Sequence, residues 1–235
     1  MKLRMQITKD PEIRFISHLE YSRTISRAIR RAKLPAAYSE GFNPHLKFSL
    51  ASALGVGVVS YTEFVEIELA EPMEVELAAK ALDKALPRGI RVLSADAVDT
   101  HHAALMSQAA GASYRVTLPY GEDISEAVAA FNAAPDLLFK KAAPKTKAGF
   151  KEIDVKFYIP HIDVSCDGKA TIFAFDCKIT PTGSMKAVDL LNALNEQYQL
   201  GLPVEMADIE RLHLYRMSKK GNKAPMLNND AVQLA

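Results

Sequence analysis

The sequence predicts an α+β protein built from two ferredoxin-like domains in tandem, each with the element order β-α-β-β-α-β. Two observations lead to this class. Apolar residues switch between the two-residue period of strands and the longer period of helices, and this succession occurs twice along the chain. The chain has 235 residues, a length that suits two small domains. We therefore predict domains at residues 1–98 and 113–217, a linker at 99–112 and a loose polar tail at 218–235.

The first half begins with a strand and a strongly marked helix. Apolar and polar residues alternate over positions 1–8, as in a half-buried strand. Ser17 and Glu20 form a capping box that predicts a helix over 18–33, which ends before Pro35 because a residue preceding proline disfavours helical angles. The remaining patterns predict strands at 46–51, 62–69 and 90–98 and a helix at 73–86.

The second half repeats this order with one insertion. The pair Asp167-Gly168 is a strong hairpin signal between predicted strands at 162–166 and 170–179. The insertion at 137–151 predicts an extra strand or a basic loop. The other predicted elements are strands at 114–118, 152–159 and 209–217 and helices at 123–132 and 184–199.

The composition limits the classes of protein to which the chain can belong. A hydrophobic content of 49% with 24% charged residues is that of an ordinary globular protein, so neither disorder nor a fibrous class is indicated. No window approaches the roughly 18 to 20 apolar residues that a membrane helix requires, and the N-terminus lacks an apolar signal core. We expect a cytoplasmic protein with no membrane partner.

The cysteine and histidine content argues against a bound metal or cofactor. Cys166 and Cys177 are too few for a disulfide framework, a four-cysteine zinc site or an iron-sulfur cluster. The adjacent histidines His101 and His102 fall in the predicted linker, where neighbouring side chains point apart. We therefore predict no metal site and no cofactor.

Charge is unevenly distributed along the chain, although the net charge is only +1. Residues 1–50 contain ten Lys or Arg residues against four acidic ones, whereas residues 60–100 have an acidic excess. Such polarity steers an anionic partner toward one face of a protein.

One face of the first helix carries an arginine stripe, and the opposite face is apolar. Arginine presents a planar fork of donors that matches phosphate oxygens, so a row of arginines suits successive phosphates of a nucleic acid. The alternative is an ordinary solvated face with partial pairing to acids. The arginine stripe consists of Arg23, Arg27, Arg30 and Arg31, which lie within about 100° of helical arc.

The loop after this helix carries groups of a different kind. Gly41 permits unusual backbone angles, and Phe42 and Tyr38 could stack on a base, as aromatic residues do in single-stranded RNA recognition. Asn43, His45 and Lys47 would add polar and charged contacts to the nucleic acid. In the alternative interpretation Phe42 fills the core, Asn43 forms a turn and His45 bonds to backbone.

Two histidines leave a catalytic alternative open. His18 lies toward the apolar side of its helix, where a buried histidine with satisfied hydrogen bonds is expected. If His18 instead faces His45, the pair could act as acid and base on a ribose 2′-hydroxyl, which is the chemistry of an endoribonuclease.

A second basic run falls in the insertion of the second half. Such a run is commonly a mobile surface loop, but it could form a second arm of an anion-binding groove. The basic run consists of Lys140, Lys141, Lys145, Lys147 and Lys151.

Two motifs carry a resemblance to a known family. Phe15-Ile16-Ser17-His18-Leu19 and Gly41-Phe42-Asn43-Pro44-His45 resemble the uncharacterised bacterial radical-SAM-linked protein family, whose members occur alone or joined to a radical SAM protein with a cobalamin-binding region. Ile16 stands where the family has leucine, and Leu46 where it has proline. The resemblance implies a companion radical SAM enzyme, as a separate chain or a neighbouring gene. This chain lacks the three-cysteine cluster motif, so it cannot be that enzyme.

The sequence and the resemblance together lead to three functional hypotheses. The first is an accessory protein that binds RNA or presents a substrate to a radical SAM enzyme and is not itself an enzyme. The helix-and-loop layout is also similar to the tandem ferredoxin-like endoribonucleases that process CRISPR repeats, an analogy of fold alone. The second hypothesis is therefore an endoribonuclease using His18 or His45. The third is a protein adaptor that binds the radical SAM enzyme without contacting RNA.

Overall fold

A computed structural model describes residues 1–99, 103–144, 146–228 and 230–234. Helices and strands both occur throughout these ranges, which confirms the predicted α+β class. The chain divides into two compact units. Unit 1 comprises Met1–Ala110 and His213–Ala235, and unit 2 comprises Gly111–Leu212.

The elements follow the chain in this order. The first part of the chain forms β1 (Lys2–Lys9), α1 (His18–Arg31), β2 (Phe48–Leu50), β3 (Val58–Glu68), α2 (Val75–Ala85), β4 (Val92–Val98) and α3 (Leu105–Gln108). The remainder forms β5 (Gly111–Leu118), α4 (Ser125–Ala133), β6 (Leu138–Ala142), β7 (Phe150–Asp154), α5 (Val155–Tyr158), β8 (Ile162–Cys166), β9 (Thr171–Thr180), β10 (Gly183–Ser184), α6 (Ala187–Tyr198), β11 (Asp208–Met217), β12 (Lys223–Pro225) and β13 (Val232–Gln233).

In unit 1 the first four strands lie in the order β2-β3-β1-β4, and each pairing is antiparallel. The register sets Lys2 opposite Glu68 and Lys9 opposite Ser60, so the end of β1 adjoins the start of β3. Apolar side chains of α1, α2 and the central strands form one core, which includes Met5, Ile25 and Leu82. Burial of this apolar surface is the main force that holds the helices on the sheet.

Helix α1 begins where the sequence predicts and ends two residues earlier. The Ser17 hydroxyl accepts from the Glu20 N–H at 3.2 Å, and the Glu20 carboxylate accepts from the Ser17 N–H at 2.8 Å, which completes the capping box. The helix ends at Arg31 because Lys33 adopts a left-handed backbone with φ of 53°. The buried residues on its apolar side are Tyr21, Ile25, Ala28 and Ile29.

The polar residues of β1 lie on the face opposite α1, and their alternation predicts that this face is exposed to solvent. In the structure this face is largely buried. Arg4 is buried, and its Nη2 lies 2.7 Å from the Glu66 carboxylate on the neighbouring strand. The Nη1 of Arg4 donates to Gln108 Oε1 at 3.0 Å and to the Met226 carbonyl at 2.9 Å. A buried charge is tolerated when it is paired and hydrogen-bonded in this way.

The prediction of a loose tail after residue 217 is wrong. The tail returns to the sheet of unit 1, since β12 pairs with the end of β11 and β13 pairs with β4. Met226 and Leu227 are buried, and their burial fixes a segment whose polar composition predicts mobility.

Unit 2 has the strand order β8-β9-β5, with the first half of β11 beyond β5. The predicted Asp167-Gly168 hairpin is confirmed: Asp167 Oδ1 accepts from the N–H groups of Lys169 and Ala170. The insertion forms a separate two-stranded hairpin of β6 and β7. The lengthy strand predicted at 152–159 is wrong in its second half, where the chain forms α5 instead.

The cause of this difference is local capping. The Asp154 side chain accepts from the Lys156 N–H at 3.0 Å and starts a helical turn. Val155 and Ile159, four residues apart, are both buried, whereas Phe157 between them is half exposed. The apolar residues alternate in the sequence, but the two that are buried, Val155 and Ile159, have helical spacing.

Candidate functional site

The arginine stripe lies on the solvent side of α1, as its spacing predicts. Arg23, Arg27 and Arg30 are exposed, and within the described ranges no salt bridge joins any of them to an acid. The nearest acid on the helix is Glu20. Hydrogen bonds from the Ser17 N–H and hydroxyl, and then the charge of Arg23, lower the pKa of Glu20. The cationic face of α1 is thus left largely without internal counterions.

Arg31 differs from the other three members of the stripe. Its Nη2 donates to the carbonyl of Ala85 at 2.8 Å, and its Nε donates to the same atom at 3.3 Å. Ala85 is the last residue of α2, where a helix has free carbonyl groups and a negative dipole end. Arg31 therefore joins the end of α1 to the end of α2.

The chain leaves the sheet and returns to it at the base of the loop that carries Phe42. Tyr38 and Leu46 form a bridge at its base. Inside the bridge, Ser39 N–H donates to the His45 carbonyl at 2.8 Å, and His45 N–H donates to the Ser39 hydroxyl at 2.9 Å. Gly41 has a φ of 114°, which strains any other residue, so the turn at the tip requires glycine.

The side chains of the loop point away from the core. Phe42 is fully exposed at the tip, so the alternative in which it fills the core is wrong. Asn43 and His45 are exposed as well, and Tyr38 is about half exposed. Lys47, just after the loop, pairs with Glu68 at 3.1 Å. The loop therefore presents an aromatic ring and polar groups to solvent.

The two candidate catalytic histidines are not brought together. His18 is the first residue of α1, close to the end of β1, and is half-buried. The base of the loop that carries His45 lies at the other end of unit 1, because Ala37 N–H donates to Glu68 O and Leu69 N–H donates to Met1 O. The 14 residues of α1 span about 20 Å between these ends. This separation does not support an acid–base pair.

The basic run is held on the β6–β7 hairpin of unit 2. Lys141 lies 2.6 Å from the Asp189 carboxylate in the first turn of α6, and Lys140 lies over the Phe150 ring at 5.2 Å. Lys147 and Lys151 are exposed. The prediction for Lys145 lies outside the described residues, as does that for His101 and His102.

Lys9 is a structural residue of this region that sequence reasoning missed. It is 1% exposed, and its ammonium group donates to the carbonyls of Arg14, Ile16 and Gly55 at 2.9, 3.1 and 3.2 Å. These contacts fix the segments that precede α1 and β3. The signal was present, because Lys9 continues the alternation of the inward-facing residues 3, 5 and 7 of β1.

Among the described residues, no cluster of three or more His, Cys, Asp or Glu side chains could hold a metal ion. No helix in the described ranges is long and apolar enough to cross a membrane.

The fold and the site define a class: a two-unit α+β protein with an exposed arginine face on its first helix. The family model "Uncharacterized protein conserved in bacteria (DUF2344)" matches residues 2–189, and the chain belongs to this family. No protein with a curated description matches the chain.

Two solved structures are similar to the chain at low identity. The first is a Cbf5-Nop10-Gar1 complex, with 12% identity and a TM-score of 0.49. The match covers 90% of this chain and 48% of the matched chain, so this chain spans about half the length of the matched chain. The other, an unknown protein from Galdieria sulphuraria, has 16% identity and a TM-score of 0.25, with 89% and 97% of the two chains covered.

Proposed function

We propose that this protein is a cytoplasmic RNA-binding accessory protein that presents RNA, or a substrate carried on it, to a radical SAM enzyme. The observation that carries the proposal is the row of exposed arginines on α1, which has no salt-bridge partner among the described residues. Proteins normally intersperse surface cations with acids, so an unmatched row favours an external anion.

The geometry of the row suits a phosphate backbone. Arg23 and Arg27 are four residues apart, so their side chains lie on one line about 6 Å apart along the axis. Arg30 continues the same line. Each guanidinium offers a bidentate fork to phosphate, and the stripe follows a rigid helix whose opposite side is packed in the core.

The loop after α1 supplies the second element of the proposal. Its base lies at the C-terminal end of α1, where Arg30 is located. Phe42 offers both faces of its ring to solvent, and base stacking on an exposed ring needs no particular sequence. We assign Phe42, with Tyr38, Asn43 and His45, to contacts with an unpaired base.

We also propose that both units are ferredoxin-like domains and that the partner is a radical SAM enzyme. In each unit the strands, numbered by their place in the β-α-β-β-α-β order, lie as second-third-first-fourth, which supports two ferredoxin-like domains with β6 and β7 as an insertion. The radical SAM partner rests on the motif resemblance of Phe15–Leu19 and Gly41–His45.

The proposal is tested by binding of a labelled, unstructured oligouridine between about 50 and 200 mM salt. Replacing Arg23, Arg27 and Arg30 with alanine is expected to weaken binding at least about tenfold. It is also expected to lower the salt slope by about 2, since each phosphate contact on a single strand contributes about 0.7. The matched control replaces Lys84, Lys219 and Lys220, three exposed lysines outside the arginine stripe and the basic run, and is expected to change both values little.

Three outcomes contradict the proposal. Binding that is absent at the lowest salt removes the RNA function, and copurification of a radical SAM enzyme without RNA affinity assigns the adaptor role instead. RNA cleavage that is lost in His45→Ala would make the protein an endoribonuclease.

A further inference from the structure

The exposed face of α1 has an apolar end that neither the motifs nor the charge pattern identifies. Leu19, in the first turn, lies four residues before Arg23 and is therefore on the same face as the arginine stripe. Phe15 precedes the helix, and Val56 belongs to the turn before β3. These three side chains are 58%, 75% and 60% exposed, respectively. We call Phe15, Leu19 and Val56 the apolar patch.

Hydrogen bonds hold the backbone of the apolar patch in one place. The Lys9 ammonium binds the carbonyls on both sides of Phe15, those of Arg14 and Ile16, and also the Gly55 carbonyl next to Val56. Gly57 N–H donates to Arg14 O at 2.8 Å, and Arg14 Nε donates to Gly57 O at 2.9 Å. Phe15 and Val56 are thus carried by two segments tied to one buried cation.

The Phe15 ring has the surroundings of a stacking platform. The Arg14 guanidinium lies over it, 5.7 Å from the ring centroid. An exposed aromatic ring beside a guanidinium group, on a fixed backbone, is a surface on which a nucleobase can stack. A ring that only filled space would be covered, and Phe15 is not.

The position of the patch complements that of the 41–45 loop. The loop lies at the C-terminal end of α1 and the apolar patch at its N-terminal end, about 20 Å apart, and the arginine stripe lies between them. A single strand on the stripe would therefore meet an aromatic ring at each end.

We infer that the apolar patch is a second base-binding site, in which Phe15 stacks on an unpaired nucleobase whose backbone follows the arginine stripe. Leu19 and Val56 pack against the edges of the same base. The inference rests on the proposed RNA-binding function and deepens it, because it adds a second base contact at the end of the arginine stripe opposite to Phe42. The charge of the adjoining stripe selects a nucleic acid over a neutral ligand.

The test compares oligouridine with the same oligomer made of abasic riboses. Wild-type protein is expected to bind the base-containing oligomer more tightly, by about 5- to 100-fold for each base that stacks on Phe15 or Phe42. Phe15→Ala is expected to lose one such factor while retaining the salt slope set by the arginines. Phe15→Trp should restore it. Leu77→Ala is the control, since Leu77 on α2 is also 58% exposed.

The outcomes separate this inference from the proposed function. If neither oligomer binds, the proposed function fails and the inference with it. If both bind in a salt-dependent manner through the arginine stripe, but Phe15→Ala keeps the wild-type preference for bases, the inference alone is overturned. If polyglutamate competes as well as oligouridine and bases add nothing, the face binds an acidic protein, which also overturns it.

Discussion

The arginine stripe of α1 and the basic run of the β6–β7 hairpin are alike in sequence but differ in their surroundings. On the hairpin, Lys141 is paired with Asp189 and Lys140 lies over Phe150. On α1, Arg23, Arg27 and Arg30 have no salt-bridge partner within the described ranges. A cation that is matched internally serves the fold, whereas an unmatched one on a rigid helix is available to a partner. Stability measurements can distinguish cations that stabilise the fold from cations that are available to a partner.

The largest effect on stability is expected from Lys9→Met. The variant keeps most of the side-chain volume but removes three hydrogen bonds from a charged group, so we expect a loss of about 3 kcal/mol in the free energy of unfolding. Chemical denaturation measures the change. Lys84→Met removes an exposed lysine of α2 and serves as the control. A change equal to that of the control would show that Lys9 does not hold the segments before α1 and β3.

A somewhat smaller loss of stability is expected when the pH is raised, and it arises in unit 2, which contains Cys177. Burial raises the pKa of the Cys177 thiol to about 11 from an ordinary value of 9.0. The stability associated with this neutral thiol is complete below pH 9 and is lost as pH rises toward 11, by about 2 kcal/mol.

Subtracting the profile of Cys177→Ala isolates this group from the lysines and tyrosines that titrate in the same range. Parallel profiles for the two proteins would mean that the thiol is hydrated. The exposed Cys166 is expected to react with a thiol reagent in the native protein, whereas Cys177 reacts only on unfolding.

A third and smaller effect is expected from Lys141→Ala. The substitution leaves the mostly buried Asp189 carboxylate without its ion-pair partner, and we expect a loss of about 1 to 2 kcal/mol in the free energy of unfolding. Lys140→Ala is the neighbouring control, with an expected change near 0.5 kcal/mol, because the exposed Lys140 loses only a cation–π contact. Equal losses would show that the ion pair of Lys141 stabilises the fold no more than the ring contact of Lys140 does.

The smallest effect is expected from Arg27→Ala. Because Arg27 is exposed on α1 and alanine favours helix, the free energy of unfolding should change by no more than about 0.5 kcal/mol. The same protein should bind oligouridine less tightly than wild type. A marked loss of stability would instead indicate a structural role for the stripe.

The sequence predicted those parts of the fold that depend on local signals. The start of α1 follows from the capping box of Ser17 and Glu20, and the β8–β9 hairpin follows from Asp167-Gly168. The end of α1 was placed too late because Lys33 takes a left-handed conformation that glycine usually marks.

Long-range packing accounts for what local signals did not predict. Arg4 belongs to the polar side of β1, yet Glu66, Gln108 and the returning tail enclose it. Met226 and Leu227 are buried where the tail docks, and β12 and β13 pair with the sheet of unit 1. At the candidate site, helical periodicity correctly placed the arginines in solvent, but it could not reveal that Arg31 contacts Ala85 or that Lys9 gathers three carbonyls. The contacts of Arg31 with Ala85 and of Lys9 with Gly55 join residues distant in sequence.

The anchoring of α1 at both ends has a kinetic consequence. Lys9 fixes the segment that enters the helix, Arg31 fastens its last turn to α2, and Tyr21 and Ile25 hold the middle. A ligand of the outer face therefore meets a backbone that needs no rearrangement, and the loss of conformational entropy on binding falls on the ligand and on the arginine side chains. Association should then proceed in a single phase, with a rate constant that rises as salt is lowered.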